Sequence, residues 1–168
     1  PILSDRSISK LNRRGLLIDG EIKPEQLQPN SVDLTLGNTW KHIQPNGVIR
    51  GTVNIPNSIH VETVECIDPS KPIKYDDGIF RFIPNNCNRA CYIVEPGEFV
   101  LMATNERLII PNGIVGSACG RSSIARLAIQ TEQAGFIDSG FHGTITLEVH
   151  NQSQYPIVLY SGMRIAQV

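Results

Sequence analysis

The chain has 168 residues, with 15 Lys and Arg against 16 Asp and Glu and a formal net charge of −1. One domain is the expected organisation at this length, and 18% charged against 40% hydrophobic residues excludes a long disordered tail or a highly solvated helical array. A sequence pI near 6.5 excludes bulk electrostatic binding of DNA or RNA; with no long apolar run and no signal-peptide layout, the chain reads as soluble and cytoplasmic, without a membrane partner.

Fourteen Gly and eleven Pro punctuate short β-branched and aromatic runs, an all-β rhythm. One helix is predicted from about Ser4 to Arg14: Ser4 can cap, Asp5 complements the dipole, Ile8 and Leu11 share a side, and Gly15 ends the pattern. Alternation then predicts strands over Ser31–Leu36, closed by Gly37, over Thr39–Ile43, and in pieces within Val48–Val64. Residues 45–90 read as a loop-rich insert with one strand around Ile79–Ile83. Further strands are predicted at Cys91–Val94, Phe99–Ala103 after a turn at Glu95–Pro96–Gly97, Gly113–Ala118, Gly143–Val149 and Ile157–Tyr160. No repeat or linker divides residues 1–168.

Cys66, Cys87, Cys91 and Cys119 include one close pair, Cys87 and Cys91, and His42, His60, His142 and His150 offer no matching pair. That spacing does not make a structural zinc site, so the thiols read as idle packing.

Between Pro111 and Val168 there are six charges, Arg121, Arg126, Glu132, Asp138, Glu148 and Arg164, and in so apolar a segment each needs solvent, a partner or a task. In Gly120-Arg121-Ser122-Ser123-Ile124-Ala125-Arg126-Leu127, a glycine, two hydroxyls, the start of a helical turn and two guanidiniums make a pattern suited to phosphate; a plain capped turn with surface arginines fits the spacing equally. In the stretch from Ala134 to Glu148, Gly140 and Gly143 bracket Phe141, so the two sides are predicted to form a hairpin bringing Asp138 and Glu148 towards one pocket. Strand alternation puts Thr144, Thr146 and Glu148 on the polar face, opposite Ile145, Leu147 and Val149, and that face is ordinarily solvated.

These segments, with Glu95-Pro96-Gly97-Glu98-Phe99-Val100-Leu101, Gly162-Met163-Arg164-Ile165-Ala166-Gln167 and Gln28-Pro29-Asn30-Ser31-Val32-Asp33-Leu34-Thr35-Leu36-Gly37, occur in the order seen in the dCTP deaminase branch of the dUTPase-like superfamily. The chain resembles that branch outside residues 45–90. The resemblance implies a mainly β, distorted β-barrel or jelly-roll-like domain with a short N-terminal helix. It also implies a homotrimer with interfacial sites, and a C-terminal segment closing over the phosphates, short of which the sequence reads as ending at Val168.

The activity implied is zinc-independent deamination of dCTP to dUTP and ammonia, alone or followed by hydrolysis of dUTP to dUMP and pyrophosphate. By similarity Glu148 is the general base and proton shuttle, Ser122 and the backbone near Ala134 position the water, and Arg126 orients the site and favours the ionised carboxylate. Arg121, Ser122 and Ser123 meet the phosphates of a magnesium-bound triphosphate. Ala134, Gly135, Phe136 and Asp138 read the pyrimidine edge, and Phe141 packs near base or sugar or in the trimer core. The alternatives are a dUTPase in which Asp138 activates water, although Glu148 stands where pure dUTPases carry an aliphatic residue, and a non-catalytic nucleotide-binding regulator.

Overall fold

The computed structural model describes residues 2–44, 47–52, 73–74, 80–81, 91–131 and 134–168. Its first element is helix α1 (Asp5–Asn12), with Ser4 as N-cap accepting from the Ser7 N–H at 3.4 Å and with Asp5 and Lys10 complementing the two ends of the dipole. Ile8 is buried in the core, and the helix ends at Asn12 rather than Arg14 as the chain turns through Gly15 at φ +73°.

Strands β1 (Leu17–Ile18) and β2 (Leu27–Gln28) precede β3 (Ser31–Gln44), β4 (Gly47–Thr52), β5 (Ile73–Lys74) and β6 (Phe80–Arg81). There follow β7 (Cys91–Val94), β8 (Phe99–Ile109), β9 (Gly116–Ser117), β10 (Cys119–Gly120) and the single helical turn α2 (Ser122–Ala125). The chain continues with β11 (Ile129–Gln130), β12 (Phe136–Ile137), β13 (His142–Asn151), β14 (Ile157–Tyr160) and β15 (Arg164–Gln167). Strand β6 falls within the predicted Ile79–Ile83 strand, whereas the pieces predicted over residues 53–64, Cys66 and Cys87 lie outside the described residues.

As the sequence predicts, the fold is a distorted, nearly closed β-barrel: a nine-stranded sheet runs in the order β10-β15-β3-β8-β13-β11, with β1 on β8 and with β2 and β4 on β3. The pairs β7–β14 and β9–β12 stand beside it. Alternate side chains of the long strands point inward, and Leu34, Leu36, Val100, Leu108, Leu147, Val149 and Ile165 are essentially solvent-free, joined there by Val94 of β7 and Leu159 of β14. Burying these side chains supplies the main drive to fold, at about 1.5–3 kcal/mol each.

Strand β3 does not stop at Gly37 but runs through it. A Cβ there would lie 2.8 Å from the Ala103 carbonyl oxygen, so the glycine lets β3 cross β8 closely where their register shifts between Leu36 and Trp40. Strand β8 likewise passes its predicted end at Ala103. Its polar continuation is held by Glu106, whose carboxylate accepts from the Thr35 N–H and Oγ1, both at 2.7 Å, and from Gln26 Nε2 at 2.8 Å. Among the described residues, no helix is long and apolar enough to cross a membrane.

Candidate functional site

Strand β13 carries Glu148 on the face predicted for it: Thr144 and Thr146 are exposed and Glu148 half-buried, while Leu147 and Val149 face the core. Glu148 Oε2 accepts a hydrogen bond from the Ala134 N–H at 3.3 Å, so two of the predicted site residues meet. The next residue fixes that approach. The Gly135 carbonyl accepts from the Ala118 N–H at 2.6 Å, and a Cβ on Gly135 would fall well inside 3.0 Å of the Ala118 oxygen. Any side chain at 135 would force the two backbones apart, so Gly135 lets segment 134–137 lie against β9 and the start of β10.

From Ala118 the chain passes through β10 to Arg121, so contacts run from Glu148 through Ala134, Gly135 and Ala118 to the arginine. Arg121 is the N-cap of α2, in extended conformation and without a side-chain cap bond, so the serines do not cap the turn as the sequence allowed. One turn sums little macrodipole, and whatever Ser122 and Ser123 offer a ligand comes from their hydroxyls and local N–H groups. Ser122 and Arg126 lie four residues apart on one side of the turn, the Arg126 N–H donating to the Ser122 carbonyl at 3.0 Å. The side chains of Ser122, Ser123 and Arg126 are exposed and make no hydrogen bond or ion pair among the described residues.

The turn at Gly140 does not give a hairpin with paired arms. Strand β12 pairs with β9, and β13 pairs with β8 and β11, because each finds a longer-range partner than the other arm. Asp138 is exposed, and its carbonyl accepts from the Phe141 N–H at 3.2 Å. Seven extended residues from Phe141 to Glu148 span roughly 23 Å, and the turn keeps Asp138 within about 7 Å of Phe141, so the two Cα atoms stand at least about 16 Å apart. Within one chain the carboxylates therefore occupy separate ends of the segment, not a common point. Phe141 is half-buried against the core, whereas Phe136 is 67% exposed.

One residue escaped the sequence reading: Asp33, 1% exposed on β3. Its Oδ2 lies 3.3 Å from Arg121 Nε and accepts from Arg164 Nη1 at 3.2 Å and from Gln28 Nε2 at 3.4 Å. The available signal was an acid inside the apolar run Val32-Asp33-Leu34, which demands a buried cation. Cys91 is buried and Cys119 half-buried, the Cys119 Sγ accepting from Gln167 Nε2 at 3.2 Å. Among the described residues, no group of three or more His, Cys, Asp or Glu is placed to hold a metal ion.

A family model described as dCTP deaminase-like matches residues 2–168. A protein named "dCTP deaminase, dUMP-forming" from Methanothermobacter thermautotrophicus is 39% identical over 170 residues, covering 99% of this chain and 77% of its own. Another of that name from Sulfurihydrogenibium sp. is 36% identical over 167 residues, covering 99% and 81%. The crystal structure of a 2'-deoxycytidine 5'-triphosphate deaminase from Agrobacterium tumefaciens shares the fold, with a TM-score of 0.64 at 23% identity; the match covers 99% of this chain and 46% of that one.

Proposed function

The chain belongs to the dCTP deaminase-like family, and from that premise, with relatives named as dUMP-forming dCTP deaminases, we propose that it converts dCTP through dUTP to dUMP. The observation that carries the reading is the Glu148 carboxylate, half-buried and held by the Ala134 amide. A carboxylate so fixed can take a proton from water as the water oxygen bonds to C4 of the cytosine ring, and deliver it to N3. It then passes the second proton of that water to the amino group as the C4–N bond breaks, leaving dUTP and ammonia. Ser122 and the Ala134 backbone hold the water, and Arg126 faces the developing charge.

Arg121, Ser122 and Ser123 take the phosphates, which arrive with Mg2+ as part of the substrate, and no zinc is required. Gly135 and Phe136 border the pyrimidine, with Phe141 packed behind. Asp138, at the other end of the segment, deprotonates a second water as its oxygen bonds to the α-phosphorus of dUTP, releasing pyrophosphate and dUMP. The predicted residues are largely exposed, as are the neighbouring Val115 and Leu127. That exposure supports a homotrimer in which a second copy completes each site.

The test is incubation with dCTP and magnesium, separation of dCTP, dUTP and dUMP by chromatography, and a parallel reaction from dUTP. Ammonia and dUMP from dCTP are expected. Accumulation of dUTP would confine the chemistry to Glu148, turnover of dUTP alone would move it to Asp138, and no product from either would leave a nucleotide binder. Glu148→Gln should keep nucleotide binding and slow ammonia release by about 10²–10⁴-fold; robust deamination by that variant would overturn the assignment.

A further inference from the structure

Asp33 sits where three strands align, opposite Gln167 of β15, which in turn pairs with Cys119 of β10. Its backbone is fixed on both sides: the Asp33 N–H donates to the Gln26 carbonyl at 2.8 Å, and its own carbonyl accepts from Gln26 Nε2 at 3.0 Å. The carboxylate therefore has a set place beneath the start of α2. An arginine whose task is only to neutralise a buried acid would present its fork to both oxygens. Arg121 does not. Its Nε lies 3.3 Å from Oδ2, Oδ1 is buried without a hydrogen-bond partner, and the Arg121 Nη groups make no hydrogen bond among the described residues.

The second cation on the same oxygen, Arg164, spends its Nη1 on Asp33 and on the Glu25 carbonyl at 2.7 Å. Two guanidiniums against one carboxylate leave one positive charge in excess; Arg164 is tied through Nη1 to a second acceptor, the Glu25 carbonyl, whereas both Nη groups of Arg121 make no hydrogen bond among the described residues. Arg121 is also the one adjoining Ser122, with its side chain 26% exposed.

We propose that Asp33 is a positioning residue that holds Arg121 by its Nε and so aims its two Nη groups at the phosphate oxygens of a nucleoside triphosphate. Holding one guanidinium edge restricts the side chain before the substrate arrives and leaves the outer edge for bidentate contact with phosphate. Arg164 supports the buried carboxylate so that Arg121 need not be drawn fully onto it. The inference rests on the assignment of Arg121 to the phosphates made above.

The test is a double-mutant cycle on dCTP deamination with Asp33→Asn, Arg121→Ala and the pair, together with calorimetric binding of dCMP. Asp33→Asn should raise KM for dCTP by about tenfold while changing kcat by less than about twofold. Binding of dCMP, with its single phosphate, should be unchanged, and adding Asp33→Asn to Arg121→Ala should raise KM no further. A purely structural Asp33 would lower the melting temperature without this split. If Arg121→Ala raises KM and Asp33→Asn does not, or if Asp33→Asn acts equally in both backgrounds, the positioning role is overturned. If Arg121→Ala itself leaves KM unchanged, the phosphate assignment fails and takes this inference with it. Should Asp33→Asn not fold, Arg121→Lys keeps the charge but loses the Nε anchor; it should reproduce the rise, and a wild-type KM in that variant overturns the proposal.

Discussion

Replacing Gly135 by alanine puts a methyl group against the Ala118 carbonyl, backbone against backbone, where no change of rotamer gives relief. The strands must part by about 1 Å to restore ordinary contact. Overpacking of this kind costs about 1–3 kcal/mol, and weakening the bond from the Ala118 N–H to the Gly135 carbonyl adds about 1 kcal/mol. A loss of about 2–4 kcal/mol lowers the melting temperature of a chain this long by about 4–16 °C. The adjacent Ala134 amide, which holds Glu148, moves with the strand, and a displacement of that size at a reacting group costs about 100-fold in rate. Scanning calorimetry and dCTP deamination, assayed well below both melting temperatures, measure the two effects separately. Gly143→Ala is the control, since its Cβ meets the Phe141 ring at an ordinary 3.4 Å. A Gly135→Ala protein with wild-type kcat and an unchanged melting temperature would refute the link from glycine to catalytic carboxylate.

Asp138→Asn should leave stability within about 0.5 kcal/mol, because the side chain is exposed and its carboxylate makes no hydrogen bond or ion pair among the described residues. In the dCTP reaction it should make dUTP accumulate in place of dUMP, and undiminished dUMP would remove Asp138 from the chemistry. Burial, and then the hydrogen bond from the Tyr92 hydroxyl to Glu98 Oε1 at 2.6 Å, push the Tyr92 phenol far above its usual value of 10, so the fold favours the neutral form. That contribution is complete at neutral pH and is lost as pH rises above about 10, where the unfolded phenol ionises first. Tyr92→Phe should therefore cost about 1.5 kcal/mol at pH 7 and less at pH 11, measured by urea unfolding; an equal cost at both would contradict the assignment.

Short-range chemistry was legible in the sequence, and the elements governed by it are well placed. The Ser4 cap, the turn at Gly97 with φ +74°, and strand β14 over Ile157–Tyr160 agree closely with the reading. The face occupied by Glu148 followed from alternation alone. The differences arise where a distant partner decides. Polar Asn105 and Glu106 continue β8 because Leu36, Thr35 and Gln26 meet them from 69 to 80 residues away. Gly37 reads locally as a strand end, but its purpose is the passage beneath Ala103. The predicted strand over Gly113–Ala118 divides as well: a turn comes first, Gly116–Ser117 binds β12, and Cys119–Gly120 binds β15. Asp33 announced a need for a cation by its place in an apolar run, but not which one, since Arg164 lies 131 residues further on.

On the proposed function, one segment serves two reactions from carboxylates at its two ends. Strand β13 lies between them, with Glu148 beside the Ala134 amide and Asp138 past the Gly140 turn. Arg121, paired with Asp33, is tied to neither carboxylate, so the phosphate contact proposed for it would be the same before and after the base changes from cytosine to uracil. On this view dUTP need not be released and recaptured between steps, because what fixes its triphosphate does not depend on which carboxylate is at work.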